Sequence, residues 1–467
     1  MQGDTNSFFE EDAIAKGPDE TAGSENKDAF LDFDEKQQEQ SRRVKKHYRK
    51  LNRRFTAKEL LDRIGYGFGA SQFITILFFL TGATPLLVGF INGFKDVLAS
   101  LFSSFLQEFS KVKSLSKRFI SSAGILFGFS LIGIVLAIRM SSPWTYAIAL
   151  LIGSFGIVAY GEMHHRIINE SLRHERKSLF LKRITHYGLL ITALSFLLSG
   201  YLLETFGIDG GTFSLFGMTI HVSGYFLAFE IAAIAFICSG FILSKTPLNI
   251  GTRTYKMGKF LKGHFKKSLH EFRHFLNNKY LFMLFIGALL LSVIESLGAT
   301  FYGYHIFTLF RDQYLGGFLN VALIFIIALL VSTMGPFITR FLERHIGLAP
   351  MFVFGTMLMT LLPFIFMTNP HFYAIIAATS LAIIGSSILG ASQGLLVQKL
   401  LPAHERSSFF NSIGMIIALP FLLLVIAGSM VAMNSFLLLF KIMVIVLLAV
   451  VAPLYIALVL TSHKQRL

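Results

Sequence analysis

The sequence holds one cysteine, Cys238, and one tryptophan, Trp144, and only 15% of its residues are charged. A lone cysteine excludes a disulfide framework and any all-cysteine metal site within one chain. No phosphate-cradling loop or dinucleotide-binding glycine pattern occurs. The expectation is therefore a chain with no cofactor, no metal site and no enzymatic activity, in which ATP drives nothing directly. No basic stretch followed by a short apolar run opens the sequence, so the first membrane helix is expected to direct insertion.

What replaces the missing charge is apolar mass: 54% of residues are hydrophobic, 50 of them Phe, and the mean hydropathy is +0.62. A soluble domain carries roughly 25% charged residues; here the solvent is lipid. Apolar stretches recur at 61–83, 86–110, 119–139, 143–164, 180–204, 219–243, 280–304, 316–341, 349–368, 371–397, 409–430 and 434–459. Each approaches or exceeds the ~20 residues needed to cross a bilayer core. Only a helix satisfies its own backbone through such a length of hydrocarbon. Thr56 and Glu59 have capping-box spacing, which places a helix start there. The prediction is an all-α polytopic membrane protein with 12 transmembrane helices in two six-helix pseudo-symmetric bundles, 56–244 and 280–460.

The remaining charge is one-sided. Residues 1–40 hold twelve acids against three lysines, whereas Arg42 to Arg54 holds eight Lys/Arg and no acid. Residues 1–55 thus read as an acidic disordered tail and a basic juxtamembrane patch, and 461–467 as a short tail. The link 245–279 carries nine Lys/Arg and one Glu, with Phe260, Leu261, Phe265, Leu269, Phe272 and Leu276 at helical spacing. It reads as an amphipathic connector on a membrane surface. Anionic headgroups are the expected partners at Arg42–Arg54 and Lys256–Lys279, rather than nucleic acid. Alternate loops are basic and the intervening ones nearly free of Lys and Arg, so both termini are expected in the cytoplasm. The expected location is a plasma or bacterial inner membrane, as a monomer.

His174-Glu175-Arg176 returns 230 residues later as His404-Glu405-Arg406, each copy closing a basic loop before the fifth helix of its half. Such repetition relates two six-helix halves by an axis along the membrane normal. The segment Gly335 to Gly347, with Glu343-Arg344 between, resembles the loop after the second helix of a half in the major facilitator superfamily. Pro402 to Arg406 is similar to that family's proline, spacer and arginine before the eleventh helix. The resemblance covers about 61–460. It implies a cytoplasmic charge latch with Glu343, Arg344, Arg406, Arg176, Glu108 and Lys111 as gate candidates, although in the first copy Lys111 stands where the family's motif has an acid. It also implies that helices one, four, seven and ten line a central cavity. The antiporter-type glycine-proline run is missing from the fifth span, and no arginine interrupts the fourth.

Ionisable side chains at bilayer depth are costly unless they face protein or water. Lys95, Asp96, Glu230 and Glu295 fall near the middle of spans. Ser292 and Glu295 share a face of helix seven. Thr379, Ser386, Gly390 and Gln393 form a stripe on helix ten, while helix one offers Gln72 and Thr75 and helix four ends in Tyr160, Glu162, His164 and His165. Adjacent side chains diverge by roughly 100°, so only one of Lys95 and Asp96 is expected to meet a solute. Glu295 reads either as the solute or proton site or as one half of a structural ion pair with Lys95 or with another helix. The expected function is secondary active transport of a small polar or amphiphilic solute, with or without a coupled proton. A lipid flippase or scramblase, or a non-transporting sensor or scaffold of the same fold, are the alternatives.

Overall fold

The computed structural model describes residues 50–112, 117–171, 174–207, 210–215, 218–246, 263, 266, 268–270, 272–273, 277–368 and 370–464. It divides into two units, 1–53 and 54–467. In the first unit residues 50–53 are helical; the acidic tail lies outside the described residues, as does most of the 245–279 link.

In the second unit the elements follow in order: α1 (54–68), α2 (Ser71–Leu80), α3 (Pro85–Val112), α4 (Lys117–Arg139), α5 (Pro143–Ser171), α6 (His174–Phe206), a hairpin β1 (Gly211–Leu215) and β2 (Met218–Val222), and α7 (Gly224–Ser244). After the link come α8 (Lys279–Leu309), α9 (Gly317–Ser332), α10 (Gly335–His345), α11 (Leu348–Phe366), α12 (Phe372–Leu400), α13 (Ala403–Asn434), α14 (Phe436–Ile445) and α15 (Ala452–Lys464). Among the described residues eleven helical stretches are long and apolar enough to cross a membrane, and a twelfth is made by α9 and α10 taken together across a 45° bend. Large apolar side chains such as Phe129, Ile234 and Leu419 are exposed on these helices, more than half of each in the case of Leu419 at 67%. A water-soluble fold would bury them; the chain is a multi-pass membrane protein.

Several details depart from the sequence-based expectations. Thr56 lies inside a helix rather than at its start, because residues before it are already helical. The first span is broken between α1 and α2. Gly65, Gly67 and Gly69 alternate through its middle, and so glycine-rich a stretch holds a helix weakly; Ala70 is extended there, at φ −62° and ψ 138°. The eighth span bends after Met334, where Pro336 in the first turn of α10 cannot extend a preceding helix. The helix expected to end at 341 runs on to His345 and stops at Gly347, whose φ of 73° suits only glycine without strain. Both copies of the repeated His-Glu-Arg triplet open helices, α6 and α13, instead of ending loops. The apolar stretch around Phe213 forms the antiparallel hairpin, with Gly211 opposite Val222. Val446–Val451 is a π-helical turn within the last span.

Loops join successive spans at alternate ends, here called the basic end and the charge-poor end. The first six spans meet the last six toward the charge-poor end. Phe79 of α2 stacks on Tyr304 of α8 with ring centroids 4.0 Å apart, and Glu204 of α6 reaches the start of α9. Helices α3 and α13 pack along their length, so closely that a Cβ at Gly89 would overlap the Ser429 hydroxyl. Small residues permit this approach where lipid supplies no hydrophobic drive between helices. Among the described residues α5 and α12 share no extended contact, which leaves space between them.

Candidate functional site

Two interior cavities flank α3. The larger, about 470 Å³, is walled by the break between α1 and α2, by α3 to α6, and by α9 with Ile383 of α12. The break places Gly69, Ala70, Ser71 and Gln72 on its wall. The short helix α2 is fixed from behind: Tyr146 donates to Ile74 O at 2.5 Å and stacks on Phe78 at 4.7 Å. Ser199 donates to Phe68 O at 3.1 Å. Among the described residues Lys95 is the one charged side chain lining this cavity; Phe127, Ile134, Leu150, Ile157, Phe196 and Phe325 make it mostly apolar.

The second cavity, about 380 Å³, lies between α3, α8 and α13. Asp96, Ser100, Ser292, Glu295 and Ser296 are its polar lining. Ser296 donates to Asp96 Oδ2 at 2.8 Å, tying α8 to α3. Ser386 of α12 donates to Glu295 Oε1 at 2.6 Å. Ser100 donates to Gly414 O of α13 at 3.0 Å. Two carboxylates therefore face one space with hydroxyl partners and, among the described residues, no cation in the lining.

Lys95 and Asp96 point to different cavities, as their angular separation on a helix requires. Their closest approach, Nζ to Oδ1, is 4.0 Å, a loose ion pair without a hydrogen bond. Lys95 lines a different cavity from Glu295, and no ion pair joins the two among the described residues. The reading of Glu295 as half of that pair is corrected; its partner is Ser386.

The other sequence candidates scatter. Gln72 faces the larger cavity, but Thr75, one turn on, is buried in packing. Gln393 of α12 donates to the Tyr455 hydroxyl of α15, outside both linings. Thr379 is buried with no hydrogen-bond partner for its hydroxyl, and Gly390 faces open space. Glu230 is half-buried on α7 and lines neither cavity. Glu343 and Arg344 are exposed on α10, while Arg406 donates to Leu401 O at 3.0 Å and Gln398 O at 2.9 Å, closing the end of α12. Among the described residues no ion pair joins Arg406 to α10. The side chains of Glu108, Lys111, Glu162, His164, His165 and Arg176 fall outside those described. No group of three or more His, Cys, Asp or Glu among the described residues could hold a metal ion.

The sequence reading missed a buried charge cluster near the basic end of the first span. Lys58, 1% exposed, approaches Asp62 at 2.5 Å and Glu59 at 3.7 Å. Asp62 also accepts from the Tyr160 hydroxyl of α5 at 3.0 Å and from Ser239 of α7 at 2.6 Å. The Lys58 ammonium lies 4.5 Å from the centre of the Tyr160 ring. The cluster joins α1, α5 and α7. Its sequence signal was the Lys58–Asp62 spacing of four, which puts opposite charges on one helical face.

No family model matches the sequence, and no curated protein matches it either. Solved structures do match. The nucleoside transporter NupG aligns with a TM-score of 0.65 at 15% identity, covering 88% of this chain and 99% of that one. A bacterial homologue of the iron transporter ferroportin in an inward-facing state gives 0.65 at 14% identity, over 87% and 98% of the two chains. A bacterial homologue of the human lysosomal transporter spinster gives 0.57 at 15%, over 89% and 96%. Identities this low speak to architecture alone: the chain shares the fold of these transporters.

Proposed function

We propose that this chain is a secondary transporter of the major facilitator superfamily, moving a small polar or amphiphilic solute by alternating access. The observation that carries this reading is the pair of mid-bundle cavities around α3, with polar groups from spans far apart in sequence converging on them. Their lining joins residues of 56–244 to residues of 280–460, as a site at the interface of two rocking halves requires. Contacts across the charge-poor end, with α5 and α12 apart, correspond to a state open toward the basic end, which the loop charges assign to the cytoplasm. The nucleoside transporter and the iron-transporter homologue among the similar structures select no substrate for this chain.

Glu295 is the proposed coupling residue, because a carboxylate in a cavity without a cation can exchange a proton as the halves rock. The test is purified protein in liposomes, screened over a solute panel with and without an imposed pH gradient. Glu295→Gln is expected to abolish gradient-driven accumulation while leaving exchange. Accumulation equal to the parent's would overturn the role of Glu295, and absence of any solute flux alongside rapid lipid redistribution would identify a scramblase instead.

A further inference from the structure

The hydrogen-bonding inventory of the larger cavity is unbalanced. Ser130, Ser154 and Ser332 spend their protons on carbonyls of their own helices, Phe127 O, Leu150 O and Leu329 O, at 2.6–2.7 Å. Lys95 makes no hydrogen bond, so three N–H donors on a full positive charge stay unused. The Gln72 carbonyl oxygen is taken by Ser71 at 3.3 Å, which leaves its amide protons for the cavity. Thr192 has no partner for its hydroxyl. The start of α2, where Ala70 supplies no side-chain cap, adds backbone N–H groups on the same wall. No carboxylate among the described residues lines this space. Asp96, turned to the other side of α3 and engaged by Ser296, does not occupy the Lys95 donors.

Unused donors and a lone cation beneath apolar walls describe the complement of one kind of molecule. We infer that the larger cavity binds an amphiphilic organic monoanion, its acidic head on Lys95 and Gln72 and its apolar body against Phe127, Ile134, Leu150 and Phe196. A charged head without an apolar body would forgo the walls, and a cation would meet Lys95. The cavity volume of about 470 Å³ falls in the ~300–1,000 Å³ range of small-molecule sites. Charge-assisted hydrogen bonds from an ammonium to a carboxylate are about twice as strong as neutral ones, so Lys95 is expected to dominate head-group selection. The inference rests on the transport reading for its meaning but is read by binding alone.

Equilibrium binding of 1-naphthoate, its uncharged analogue 1-naphthamide and the cation 1-naphthylmethylammonium is measured on full-length protein in zwitterionic-lipid nanodiscs, with empty nanodiscs subtracted. Saturable binding in the order naphthoate, naphthamide, ammonium is expected. Lys95→Met should weaken naphthoate at least tenfold and leave naphthamide unchanged; Lys95→Arg should restore most of the affinity, and Gln72→Leu should cost a few-fold. Should Lys95→Met fail to fold, the order of the three probes on the parent and the response of Gln72→Leu decide the matter. Naphthoate that binds no better than naphthamide, or that binds Lys95→Met as it binds the parent, overturns the inference. Naphthoate binding without flux of any solute would sink the transport reading and spare this one; flux of another solute without naphthoate binding would do the reverse.

Discussion

The Glu204 carboxylate of α6 accepts a hydrogen bond from the Phe318 backbone N–H at 2.7 Å, so that one helix caps the start of another, α9, 114 residues later. Phe318 lies in the first turn, where N–H groups lack partners and the helix dipole favours negative charge. Gly316, at φ 94°, sits directly beneath the carboxylate, where a side chain would collide with it. Such a cap is worth ~1 kcal/mol, enough to bias which end of the bundle stays closed. Spin labels at Met140 and Thr368, both exposed at the charge-poor end, in a Cys238→Ala background report that separation. Glu204→Ala should shift the distance distribution to longer values by roughly fivefold in population, following from that ~1 kcal/mol, and Glu204→Gln by less, since its amide oxygen still accepts. An unchanged distribution would mean the cap does not bear on closure.

The α3–α13 seam should respond to size. Gly89→Ala places a methyl against the fully buried Ser429, and overpacking of this kind costs ~1–3 kcal/mol. A drop in thermal midpoint is expected, with partial recovery in Gly89→Ala/Ser429→Gly. Additive losses in the double variant would refute the contact.

The buried cluster makes a sharper claim. Removing one partner of a buried ion pair costs ~3–5 kcal/mol, whereas replacing both with apolar residues can be nearly neutral. Lys58→Met and Asp62→Leu should each lower the thermal midpoint strongly, and the double variant should lie well above either. In Asp62→Leu the Tyr160 and Ser239 hydroxyls keep each other at 2.6 Å, so the residual loss reflects the charge. A double variant as unstable as the singles would contradict a pair buried away from water.

Orientation is checked chemically. In a Cys238→Ala background, a cysteine at Thr368 should react with an impermeant thiol reagent from outside, and one at Lys266 should not. Labelling of Lys266 from outside would reverse the assignment of the ends and, with it, the direction in which the cavities open.

The spans were legible in the sequence because hydropathy over ~20 residues answers to one cause, the thickness of the bilayer. Lys95 and Asp96 were separable for the same kind of reason: the rotation between neighbours on a helix does not depend on tertiary context. What escaped was pairing. Nothing near Glu295 points to Ser386, 91 residues away, rather than to Lys95. The glycines around Gly67 hinted at a break in the first span, but apolar continuity masked it. The bend after Met334 was hidden in the eighth span because its apolar run continues through Gly335 and Pro336 into the new helix.

The cluster beneath α5 and α7 also has a temporal side. A ribosome delivers Asp62 ninety-eight residues before Tyr160 and 177 before Ser239. Lys58 and Asp62 thus emerge in the least apolar of the spans, long before the hydroxyls that enclose them exist, and charges left at hydrocarbon depth are costly. Until α7 is made, that end of the first span belongs at the headgroups or against the insertion machinery, and its final seating awaits the sixth. Biogenesis of this half is a closing of the ring around its first helix, with α7 as the last piece to arrive.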